Sequence, residues 1–189
     1  MHKNDEIMEG MYVEVRVGNI LKQYIVNSFR SDTVPLHKGS VVMNIIRPHL
    51  ELCSSDELEE FDEETREKEV IRLELPNERK KVYHQKGHKI YFCNTLWRNR
   101  LSSKGQKEVK TFFRNTFMQA VRIYIDADIE RQEIMKAEGK KNNDMMSAIQ
   151  AFMDKYNFEY TKKDLHRIKQ DWYRHRDDVE FYRISPIVY

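Results

Sequence analysis

Tyr12, Glu14 and Arg16 alternate with Val13, Val15 and Val17, and this period of two predicts a half-buried strand. After Gly18-Asn19 the period lengthens. Ile20, Leu21, Tyr24, Ile25 and Phe29 recur three to five apart, which places them on one side of a helix. A short strand is expected at 33–37. Ser40 then reads as an N-cap before Val41, Val42, Ile45, Ile46, His49 and Leu50, again at helical spacing. Pro48 should kink or end that helix near its preceding turn. The pattern gives a small β-α-β-α unit over residues 1–53, with all-strand readings of 20–30 and 41–46 as the alternative.

The next stretch, SSDELEEFDEETREKE at 54–69, has only Leu58 and Phe61 as apolar anchors. It reads as an exposed helix or a flexible acidic linker, and the chain is expected to divide here. Residues 69–75 alternate as a strand closed by Pro76-Asn77, with 80–83 and 89–93 as its expected partners around Gly87. From 103 to about 137 a long helix is predicted, its wide apolar face built from Val109, Phe112, Phe113, Phe117, Ala120, Val121 and Tyr124. Residues 70–189 thus form a basic β segment followed by a helical domain, and the fold class is α+β.

Two shorter helices close the pattern. Met145, Met146, Ile149, Phe152, Met153 and Tyr156 share one face of the first. Thr161 stands three residues before Asp164 as a capping box, and opens a second helix from 161 to about 176. At about 100° per residue, Leu165, Ile168 and Trp172 fall in one narrow apolar stripe. Lys163, Arg167, Gln170 and Arg174 face away from it, with Lys162, His166, Lys169 and Tyr173 beside them, while Asp164, Asp171 and Asp178 follow one flank. The outward arc can donate to phosphates or base edges. In this respect the pair resembles the helix-turn-helix architecture of DNA-binding proteins, although the usual turn glycine is absent. The alternative is a structural hairpin whose second helix only covers the core.

Charge sharpens this picture. The formal net charge is +2, yet residues 51–69 sum to −8 and residues 70–125 to +10. A basic middle could attract phosphate, or could be covered by the acidic segment beside it. Within KIYFCNTLWRNRLSSKGQKEVK (89–110), cations interleave with Tyr91, Phe92 and Trp97, and Arg98, Arg100 and Lys104 cluster in an expected loop before the long helix. These three join Lys162, Lys163, Arg167, Lys169, Gln170 and Arg174 as the candidate nucleic-acid contacts.

Signals for catalysis are weak. His84, His88 and Cys93, with His49 and Cys53, form the best set of metal ligands, but their spacing matches no standard zinc site and no metal or other cofactor is expected. Asp126, Glu130 and Glu133, with Asp128 nearby, could hold Mg2+ for nuclease chemistry, though a solvated helix face explains them as well. No glycine-rich phosphate loop, G-x-S-x-G or H-E-x-x-H occurs. No apolar run approaches the ~18 residues of a membrane span, and acids occupy the start of the chain where a signal peptide would be basic. Two cysteines are too few for a disulfide framework. The sequence therefore predicts a cytoplasmic, non-catalytic protein that binds nucleic acid, in the first place duplex DNA, as a regulator or accessory factor. A module for an acidic protein partner is the alternative, a metal-dependent nuclease the third, and self-association stays open.

Overall fold

The computed structural model describes residues 12–54, 61–76, 97–137 and 145–175. These form a mixed α+β protein that opens with the expected β-α-β unit. The elements are β1 (Tyr12–Arg16), α1 (Asn19–Phe29), β2 (Thr33–Pro35), α2 (Val41–Ile46), β3 (Leu50–Ser54), α3 (Glu63–Glu69), β4 (Val70–Glu74), β5 (Trp97–Leu101), α4 (Ser103–Ala137), α5 (Met145–Lys155) and α6 (Lys162–His175). Two compact units, Met1–Phe112 and Phe113–Tyr189, divide the chain within α4.

In the first unit β4 is the central strand of a sheet ordered β1-β4-β2. It runs antiparallel to β1, opposing Leu73 to Val13 and Ile71 to Val15, and parallel to β2, opposing Leu73 to Val34. These apolar side chains are all buried, as the central position of β4 requires. Along the chain the acidic stretch separates β3, which pairs with β5 in a second sheet, from β4. The strands expected at 80–83 and 89–93 lie outside the described residues.

Helix α1 starts at Gly18, whose φ of 94° is a conformation that favours glycine. The Val17 and Gly18 amides both donate to the Glu69 carbonyl, at 2.9 and 3.2 Å, so the chain turns tightly against the end of α3. Leu21 and Ile25 enter the core. Lys22 is also buried, and its ammonium donates to the Arg66 carbonyl at 2.8 Å. Burial pushes the Lys22 pKa below its ordinary value, against the pull of Asp32 and Glu67. Helix α3 buries no side chain and is capped by Asp62, whose carboxylate accepts from the Thr65 amide at 2.7 Å. Residues 63–69 of the acidic stretch thus form an exposed helix, and residues 55–60 lie outside the described residues.

Ser40 caps α2 as expected, accepting from the Met43 amide at 3.1 Å. The helix is shorter than its periodicity implies. It ends at Ile46, Pro48 lies in a 3-10 turn at Arg47–His49, and Leu50 begins β3. Placing His49 and Leu50 on the helix is thereby corrected, because proline removes an amide the helix needs to continue. Strand β3 pairs antiparallel with β5. Immediately after β5, the Ser102 amide donates to the His49 carbonyl at 3.0 Å, and the Ser102 hydroxyl accepts from the Gly105 amide at 3.2 Å to cap α4. The first turn of α4 is pressed so closely onto His49 that a Cβ on Gly105 would lie 2.5 Å from the His49 Cβ.

Helix α4 has 35 residues and is about 52 Å long at ~1.5 Å per residue. In the second unit it contributes Phe113, Phe117, Met118, Val121 and Ile125 to the interior, alongside Ala148, Ile149, Phe152 and Met153 of α5 and Leu165, Ile168 and Trp172 of α6. Aromatic rings meet edge-on at its centre. Phe117 lies 6.2 Å from Phe152 and 6.1 Å from Phe158, and Tyr124 lies 5.3 Å from Phe152.

Replacing a helical glycine by alanine ordinarily stabilises a protein by up to about 1 kcal/mol. Gly105→Ala should instead destabilise by about 1–3 kcal/mol, since neither the helix backbone nor the His49 Cβ can move away cheaply. A higher denaturant midpoint for the variant would contradict the close packing. Lys22 gives a second expectation. Its folded-state pKa lies below the unfolded one, so between the two values the unfolded chain binds more protons and stability rises with pH. Relative to Lys22→Met, the protein should gain stability as pH climbs through that depressed pKa towards 10.5. Parallel stability–pH curves for the two proteins would refute this.

Candidate nucleic-acid interface

Local chemistry sets both ends of the turn before α6. The Phe158 amide donates to the Met153 carbonyl at 2.9 Å and the Asn157 amide to the Asp154 carbonyl at 3.0 Å, while Asn157 adopts φ 53°. This is a Schellman ending with asparagine in the left-handed position where glycine is commonest, so a tight turn forms without glycine. Phe158 and Met153, on either side of it, are buried. At the start of α6 the expected capping box is present. The Thr161 amide donates to the Asp164 carboxylate at 2.9 Å, and the Asp164 amide to the Thr161 hydroxyl at 3.3 Å.

Helix α6 is sharply divided. Leu165, Ile168 and Trp172 are buried. Lys162, Lys163, His166, Arg167, Gln170, Tyr173 and Arg174 are exposed, and Lys169 is half-buried at the edge of the seam. All six residues singled out on this helix therefore lie together on its outer arc or the adjoining flank. None of its cations pairs with a carboxylate among the described residues.

The two acids of the helix are engaged elsewhere. Asp164 is held by the cap. Asp171 accepts from the Arg122 guanidinium of α4, and Arg114 approaches the same carboxylate at 4.0 Å. Arg122 is only 2% exposed. One turn of α4 further on, Asp126 accepts from the Trp172 indole at 3.0 Å. An ion pair and an indole–carboxylate bond thus fix the rotation of α6 about its own axis.

Several described cations of the basic middle, by contrast, have acidic neighbours. Arg72 lies 3.4 Å from Glu14, Arg100 3.2 Å from Glu51, and Lys104 3.9 Å from Glu108, while Arg114 and Arg122 share Asp171. Arg98 and Arg100 do not belong to a loop. They stand on β5, opposite Cys53 and Glu51 of β3, and Lys104 follows in the first turn of α4. This corrects the expected loop: Arg98 and Arg100 alternate with Trp97, Asn99 and Leu101, and this short segment becomes a strand by pairing with β3, far away in the chain. These three belong to the first unit and the α6 residues to the second.

His84, His88 and Cys93 lie outside the described residues. Cys53 is buried on β3, and His49 faces Ser102 at 3.4 Å and Glu108 at 3.2 Å. Asp126 receives the Trp172 indole, and Asp128 accepts from Arg131 and Gln132. No group of three metal-ligating side chains occurs among the described residues, and no helix among them is long and apolar enough to cross a membrane.

The sequence pattern does not single out Arg122, because it interrupts the apolar run from Phe117 to Ile125 and counts there only as one cation of the basic middle. Its signal is a lone cation on the buried side of an amphipathic helix, matched by aspartates on the flank of another. Comparison with family models, curated proteins and solved structures finds no match to this chain.

Asp171→Asn should cost about 3 kcal/mol or more, because it leaves the Arg122 charge buried without its carboxylate. Arg122→Met combined with Asp171→Leu should cost less than that single change. Equal or additive losses in chemical denaturation would show that burial of the charge is not what makes the pair matter.

Proposed function

We propose that this chain is a non-catalytic nucleic-acid-binding protein, a regulator or accessory factor that holds duplex DNA on the outer face of α6. The observation that carries the reading is the disposal of charge on that helix. Both acids serve the structure, and Lys162, Lys163, Arg167, Lys169 and Arg174 are left without carboxylate partners among the described residues. A polyanion relieves the mutual repulsion of such a face and gains entropy from the counterions it releases. By contrast Arg100 and Lys104 already have acidic neighbours, which makes them secondary contacts at most. A DNA partner puts the site of action in the compartment holding the DNA, which we take to be the cytoplasm.

One observation favours a second reading. Glu51, the first acid of the 51–69 block, is the register partner of Arg100, so acids do neutralise part of the basic middle. A surface that accepts an acidic protein segment follows the same logic on α6.

Replacing Lys163, Arg167 and Arg174 together by alanine should leave the fold intact, since all three are exposed and outside the seam. In gel-shift titrations over a range of salt, duplex affinity should fall, and the slope of log affinity against log salt should shrink by about 0.9 for every phosphate no longer neutralised. Duplex binding unchanged by the triple substitution, in a folded protein, would overturn the proposal. Binding of poly-glutamate but not of duplex, abolished by the same substitution, would favour the acidic partner.

A further inference from the structure

Taking the nucleic-acid reading of α6 as its basis, we infer that the helix binds in the major groove and that Gln170 reads base edges there, making the protein sequence-selective. The geometry starts from the seam. With ~100° between successive residues, Lys163 and Gln170 project within about 15° of the direction opposite Leu165, Ile168 and Trp172, and Arg167 and Arg174 within about 50° of it. Lys162, Lys169 and Tyr173 project to one side, roughly 75–115° from that direction, and His166 lies on the same side at about 55°, nearly as close to it as Arg167. The opposite side carries Asp164 and Asp171, both held by their own unit.

A helix about 10–12 Å across fits the major groove, about 12 Å wide, and is too broad for the minor groove at about 6 Å. Lying there with its seam outward, α6 aims Lys163, Arg167, Gln170 and Arg174 at the groove floor and one flank of cations at a single phosphate wall. Among these four floor positions one side chain is uncharged. A neutral amide releases no counterion and is a poor choice for holding phosphate. It does offer a donor and an acceptor together, the pair that matches the N6 and N7 edge of adenine, whereas Arg167 suits the O6 and N7 of guanine. The Arg122–Asp171 and Trp172–Asp126 contacts supply the fixed rotation that such reading needs.

The test is selection of randomised duplexes by the full-length protein, followed by titration of the enriched duplex and a scrambled one. An enriched site containing adenine is expected. Gln170→Ala should lower the affinity ratio of enriched to scrambled duplex by about fivefold or more, with scrambled binding and the salt slope unchanged. Lys162→Ala with Lys169→Ala should weaken both duplexes alike and leave the ratio intact. Tight binding with no enriched site, or a ratio indifferent to Gln170→Ala, overturns base reading while leaving the nucleic-acid proposal standing. Absence of any duplex binding at low salt overturns both.

Discussion

Arg122 carries a positive charge into the interior of the second unit, and the Asp171 carboxylate is what makes that burial tolerable. An isolated charge in such surroundings would cost several kcal/mol, so α6 is obliged to keep Asp171 turned towards α4. The Trp172 indole, bonded to Asp126 one turn along the same helix, repeats the constraint. With two adjacent residues of α6 committed to two positions of α4, the rotation of α6 is fixed. Lys163, Arg167, Gln170 and Arg174 are exposed as a consequence. The polar contacts inside and the charged surface outside are two results of one arrangement.

The same accounting of charge separates the two basic regions of the chain. A count along the sequence makes 70–125 the strongest candidate for a polyanion, at +10 against a net +2 for the whole protein. In the folded chain, Arg72, Arg100, Lys104, Arg114 and Arg122 all lie beside carboxylates. Exposed pairs of this sort contribute little to stability, typically about 0–1 kcal/mol, yet they do reduce the field available to a ligand. Among the described residues, the C-terminal helix has fewer cations and leaves more of them without carboxylate partners. Electrostatic availability follows pairing more closely than it follows composition.

Much of the second unit was legible in the sequence. The Thr161–Asp164 cap, the seam of Leu165, Ile168 and Trp172, and the outward cations all follow from helical periodicity and capping chemistry. So do the Ser40 cap, the alternation of β1 and the extent of α4. These are local properties: each is decided by residues within a few positions of one another, where backbone geometry alone determines which side chains share a face.

What only the tertiary structure decided involves partners far apart in the chain. Strand β4 joins β1 and β2 across the acidic stretch, and β5 becomes a strand by pairing with β3. Gly105 meets His49, Arg100 meets Glu51, and Arg122 meets Asp171, 49 residues away. Periodicity reports that a position is buried or exposed, but a carboxylate or a strand edge can be satisfied by any complementary group that packing brings near. Burial makes such pairing obligatory, and only the assembled core selects which pairs form.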